Sequence, residues 1–223
     1  WEDWDALWFQ NSMNNNILQY CEFKYGGAYD HYSSSWESED YSEYGIVRLD
    51  NSSVLIDNCS FDQSISSAIG IYGTSNPTIQ NCEMFNINRT PIMMNMFAGT
   101  EFSNNIASNI GLMAIGIEPE TFSQDGIVPI RNFAGYNNIT YYLYGELIIN
   151  SGTTIEIPEG IVFKKGNDQD NDGNSNEYFD VRGEIQIGNM EGVQPIIFTD
   201  YIDDNYGNPG DTNGDGSLSS PSI

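Results

Sequence analysis

The chain has 223 residues, and seven Lys and Arg against 32 Asp and Glu give it a net charge of -25. A surface that negative repels the phosphates of nucleic acid and of anionic lipid headgroups, which argues against both as partners and in favour of a divalent cation. Hydrophobic residues at 39% and aromatic residues at 13% separate it from a disordered acidic polymer, and no apolar run approaches the roughly 20 residues that span a bilayer.

In chain order, the opening Trp1-Glu-Asp-Trp-Asp-Ala-Leu-Trp-Phe has no basic leader region and reads as the start of a mature segment of a longer polypeptide. Internal repetition follows. Cys21, Cys59 and Cys82 occupy similar contexts (QYCEF, DNCSF, QNCEMF), and the step of 23 residues from Cys59 to Cys82 leads on to Asn105. Several columns keep that step: Ile56, Ile79 and Phe102; Asn58, Asn81 and Asn104; Ile69, Ile92 and Ile115; Ile71, Met94 and Ile117. Backwards, Ile46 falls 23 before Ile69, whereas Cys21 lies 38 before Cys59, so the acidic, aromatic stretch 29–44 is an insertion. Further on, Gly145-Glu-Leu-Ile-Ile and Gly183-Glu-Ile-Gln-Ile stand 38 apart, with a polar run over 166–180 as the excess. Thr154-Ile-Glu-Ile, Gly160-Ile-Val-Phe and Pro195-Ile-Ile-Phe-Thr read as short strands, and helical periodicity is nowhere sustained.

A period of 23 residues with two or three short strands per repeat is what an all-β parallel β-helix requires, because each coil must land one strand spacing above the last. About eight coils fit the chain, which is expected to be a single domain over 1–223 or a segment of a longer array. The isoleucine columns are the expected core ladders, and Asn58/Asn81/Asn104 the expected turn ladder. The three cysteines read as free, buried thiols.

Two segments have the alternating oxygen ligands of a calcium loop. In Asp168-x-Asp170-x-Asp172-Gly173-Asn174-x-Asn176 the sixth-place Gly permits the sharp turn, but position twelve is Phe179, so Glu177 or Asp180 would have to close the coordination sphere. Asp211-x-Asn213-x-Asp215-Gly216-Ser217 has the same grammar and carries Ser222 where the closing acid belongs; Asp203 and Asp204, upstream, are the acids within reach, with Asp203 the expected ligand. Oxygen-only ligands select calcium over zinc or copper. In the 29–44 insertion, Tyr32, Trp36 and Tyr41 among five acids form a candidate glycan platform, against the blander reading of a loop whose rings cover the solenoid flank. The acids of the regular repeats, Asp57, Asp62, Glu83, Glu101 and Glu118, fall in different columns, so no catalytic set is assigned.

The NC-x-F repeats, GTTIEIPEGIVFK and PIIFT resemble the right-handed parallel β-helix repeat proteins secreted by many bacteria, which share their solenoid with pectate lyases and polygalacturonases. The resemblance implies an extracellular or cell-surface, bacterial solenoid. Two functions are expected of it: a non-catalytic structural or adhesive module stiffened by calcium and self-associating end to end into a filament, or a carbohydrate-binding or polysaccharide-degrading protein of the lyase or glycoside hydrolase type. The last segment, DDNYGNPGDTNGDGSLSSPS, resembles those that precede a tryptophan-containing strand start like the one at Trp1, which implies continuation into further modules.

Overall fold

A computed structural model describes residues 4–12, 15–27, 45–166, 178–188, 194–216 and 221. Within them all regular structure is β, and every pairing between strands is parallel. One long sheet runs through Leu7–Gln10, Gly45–Asp50, Ser67–Tyr72, Ile92–Met94, Ile115–Ile117, Tyr141–Leu143, Val162–Lys165 and Ile197–Asp200, eight strands each hydrogen-bonded to the next. Two four-stranded sheets wall the first half: Asn16–Gln19, Val54–Asp57, Thr78–Gln80 and Glu101–Ser103 in one, Glu22–Lys24, Ser60–Ser64, Glu83–Ile87 and Ile106–Ile110 in the other. Two three-stranded sheets, Glu120–Phe122 with Leu147–Ile149 and Phe179–Val181, and Gly126–Ile127 with Thr154–Ile157 and Glu184–Ile187, wall the second. Each turn of the chain thus adds one strand to each wall, which is a parallel β-helix.

The predicted ladders are in register. Ile69, Ile92 and Ile115 pair in succession, as do Ile71, Met94 and Ile117 beside them, and Leu18, Ile56, Ile79 and Phe102 in the second wall. All but Leu18 and Phe102 are fully buried, so one continuous apolar core runs up the axis. Two alignments are corrected. Val47, not Ile46, pairs with Ile69, because this coil is one residue shorter than the next. Gly183-Glu-Ile-Gln-Ile stacks on the strand Thr154–Ile157 rather than on Gly145-Glu-Leu-Ile-Ile, whose Leu147 pairs with Phe179 instead. The two GE-hydrophobic sequences look alike because both enter strands, but it is Phe179, not the strand Glu184–Ile187, that stands beside Leu147.

The corners explain the asparagines. Asn58, Asn81 and Asn104 have φ of 53°, 54° and 53°, the left-handed region that Asn tolerates better than other side-chain-bearing residues, and so turn the chain without glycine. Asn104 donates to Asn81 Oδ1 at 3.3 Å, but Asn81 and Asn58 both donate to Asp57 Oδ1 at 2.8 Å, so the ladder ends on a carboxylate. A second ladder, absent from the expectations, stands at the next corner: Asn109 donates to Asn86 at 2.6 Å and Asn86 to Asp62 at 2.8 Å.

The cysteine column has a shared job. Cys59 Sγ donates to Leu18 O and Cys82 Sγ to Ile56 O, one coil back, and Asn105 Nδ2 makes the equivalent bond to Ile79 O at 2.8 Å. Asn105 Oδ1 also accepts from Cys82 N at 3.0 Å. All three cysteines are free, and burial pushes the Cys82 thiol up to about 11. Asn105→Cys, which keeps a donor for Ile79 O but offers Cys82 N only a weak sulfur acceptor, should therefore cost less than Asn105→Leu, which leaves the buried carbonyl and N–H both unbonded and should cost about 2 kcal/mol by chemical denaturation; equal effects of the two would refute the column's polar role.

Candidate metal centre

After the last strand of the long sheet the chain does not stop but folds back over the sheet's outer face as a strap, residues 201–216. Tyr201 N bonds Lys165 O at 2.7 Å. Asn208 and Thr140 then bond reciprocally, Asn208 N to Thr140 Oγ1 at 2.8 Å and Thr140 N to Asn208 O at 3.3 Å. Finally Met113 N donates to Thr212 O at 2.7 Å. Met113 precedes the strand Ile115–Ile117, three strands back from Ile197–Asp200, so the strap travels roughly 14 Å along the axis at ~4.8 Å per coil.

The strap brings Asp204, Asp211 and Asp215 together, with one carboxylate oxygen of each within 4.8 Å of the others. Asp211 heads the loop as its sequence predicts: Oδ1 accepts from Asp215 N at 3.1 Å and Oδ2 from Gly216 N at 3.0 Å, which wraps the backbone around the carboxylate. Gly214 and Gly216 at φ 68° and 71° make that tight turn possible. Asn213 donates its amide to Asp215 Oδ2 at 3.2 Å, and its Oδ1 is buried without a hydrogen bond. Three converging carboxylates, on a loop that also carries this unbonded amide oxygen, suit a hard divalent ion such as calcium.

Of the two upstream acids within reach, it is Asp204 rather than Asp203 whose carboxylate lies beside those of Asp211 and Asp215. Asp203 turns the other way: Thr199 Oγ1 donates to its Oδ2 at 2.6 Å, and Asn205 N and Nδ2 donate to its Oδ1 at 3.2 and 2.8 Å. Burial pushes its carboxyl upward, but these bonds, with Lys164 nearby, outweigh that and hold it below the ordinary aspartate value. The side chains of these adjacent acids point different ways, and only the fold decides which faces Asp211. Ser217 lies outside the described residues, as do Asp168, Asp170, Asp172, Asn174 and Asn176 of the first loop and Tyr32, Trp36 and Tyr41 of the insertion. Asp180 is described and is held by Arg182, whose Nε donates to its Oδ2 at 2.7 Å.

A residue that no motif or spacing in the sequence marks sits beneath the strap. Lys164 is fully buried, and its Nζ donates to two strap carbonyls, Asp203 O at 2.8 Å and Gly210 O at 2.6 Å. Burial pushes its ammonium below the ordinary lysine value, and the charges of Asp204, Asp203, Asp211 and Asp200 push it back up. Alongside the strap runs a groove of about 720 Å³, lined by Asn86, Asn109, Tyr136, Asp211 and Asn213 among others. The acids of the regular coils do not converge on it; Asp57 and Asp62 terminate the asparagine ladders.

Comparison with known proteins agrees with the architecture. Residues 3–157, more than half of the chain, match the family described as right handed beta helix region. No curated protein and no solved structure matches the chain. Parallel walls, a continuous axial core and this match together place the chain in the right-handed β-helix family.

Proposed function

We propose that the protein is a non-catalytic structural or adhesive β-solenoid module that works outside the cell, holds calcium in its strap, and associates end to end with further β-helix coils. What supports the calcium reading is one convergence: Asp204, from the start of the strap, meets Asp211 and Asp215 of an Asp-x-Asn-x-Asp-Gly loop. Carboxylates this close repel one another unless a cation lies between them. The ends support association: Trp8 and Ile17 at one end and Phe198 and Ile187 at the other are about half exposed, and among the described residues the outermost strands of the long sheet, Leu7–Gln10 and Ile197–Asp200, each have a hydrogen-bonded neighbour strand on one side only.

Calcium should raise the midpoint of thermal unfolding over that in chelator, by the equivalent of about 2.7 kcal/mol at a hundredfold excess over Kd. The double variant Asp204→Asn, Asp211→Asn should lose that increment while keeping its β signature in circular dichroism. Identical melting in calcium and chelator, with no heat of binding by calorimetry, would overturn the metal assignment.

A further inference from the structure

The strap holds acids that repel one another, yet it lies closed over a buried lysine. Lys164 shares its outward position on the long sheet with Tyr142 before it and Thr199 after it, a place where a side chain ordinarily meets water. Here it meets the strap instead. Its two acceptors, Asp203 O and Gly210 O, are seven residues apart, so one ammonium pins the strap at both sides of its bend. The same face carries a small apolar cluster separate from the axial core: Leu112, Ala114 and Tyr142, with Tyr144 and the strap's own Tyr201 packed against them. Neither this apolar contact nor a backbone bond such as Met113 N to Thr212 O supplies the positive charge that would ease the repulsion among Asp204, Asp211 and Asp215.

We propose that Lys164 is a resident counter-cation, a positioning residue that latches the strap to the sheet and assembles the acidic cluster before any metal arrives. A fixed ammonium delivers positive charge at the strap whatever the ion content of the solvent, and its buried position spares it the screening that weakens surface pairs. The carbonyl acceptors give it direction: as it binds Asp203 O and Gly210 O, the carboxylates of Asp204 and Asp211 are fixed at a short distance. This latch stands whether or not the calcium reading does.

Two amides on the solenoid body report the strap directly, because Met113 N and Thr140 N bond to Thr212 O and Asn208 O. In the wild-type chain in chelator, hydrogen exchange at both should remain slow. Loss of their protection on chelation would overturn the latch while leaving calcium binding intact. In Lys164→Ala, both amides should exchange more than tenfold faster, while Glu83 and Ile106, whose N–H groups bond Cys59 O and Cys82 O in earlier coils, change less than twofold. Added n-propylammonium, which restores the deleted ammonium, should slow exchange again, and 1-propanol should not. Unchanged exchange, or equal rescue by both compounds, would reduce Lys164 to packing and refute the proposal. If Lys164→Ala fails to fold, Lys164→Met keeps the length without the charge; full protection of Met113 and Thr140 in that variant refutes the latch equally.

Discussion

Phe163→Ala should destabilise the C-terminal coils by about 3–5 kcal/mol, the range for deleting a buried aromatic ring. Phe163 is 1% exposed and stands in the middle of a stack, 5.8 Å from the Tyr141 ring and 5.2 Å from Phe198, with interplanar angles of 25° and 17°. Phe179 closes the group edge-on, 5.4 Å from Phe163 and 5.7 Å from Phe198. No neighbour can fill the space, since Tyr141 is tied by its hydroxyl to Pro129 O and the other rings are fixed by strand register. In a solenoid the coils stack on their neighbours, and here the strap reaches back to Met113, so the damage stays within the coils from there to the C-terminal end. Thermal unfolding of the variant should split into two steps, with Ile197–Asp200 and the strap melting first and the coils around Ile69 near the wild-type temperature. A single transition shifted as a whole would show that the coils are coupled more tightly than nearest-neighbour stacking allows.

The same locality governs which parts of the molecule could be read in advance. A column such as Ile69, Ile92 and Ile115 announces itself because stacking forces equivalent residues to the same depth at a constant step. Asn at the corners is legible for a similar reason, since few residues tolerate a left-handed φ and the need recurs each coil. Where the step varies the signal fails: Leu147 to Phe179 spans 32 residues and Thr154 to Glu184 spans 30, so the 38-residue match between two GE-hydrophobic strands points to the wrong partner. The candidate metal centre was half legible. Asp211, Asn213 and Asp215 follow from local spacing, because their loop is closed by its own backbone. Asp204 could be named as within reach but not told apart from Asp203, and Lys164 could not be picked out at all, because both meet that loop only once the strap reverses over the sheet. Within Val162-Phe-Lys-Lys, alternation assigns Lys164 to the outside, which is correct, but nothing local says that the outside is covered.

Glu120 sets the second large effect. It begins the strand Glu120–Phe122, and its Oε1 accepts from Met96 N at 2.5 Å. Burial, only partly countered by that bond and by Asn95, pushes its carboxyl up to about 7 from an ordinary value of 4.5. The folded protein therefore holds a proton here that the unfolded chain has released. A raised carboxyl favours the folded state below the unfolded value, and that stability is lost as pH rises from about 4.5 towards 7, after which it levels off. At 1.36 kcal/mol per unit the loss is at most about 3 kcal/mol. Glu120→Gln keeps an acceptor for Met96 N and removes the ionisation, so it should match wild type near pH 4.5 and exceed it by up to that amount at pH 8. Calcium-free denaturation at the two pH values tests this without interference from the strap. A variant no more stable than wild type at pH 8 would mean that the carboxylate is ionised in the fold at little expense, and that Met96 N and the Asn95 side chain together solvate it adequately.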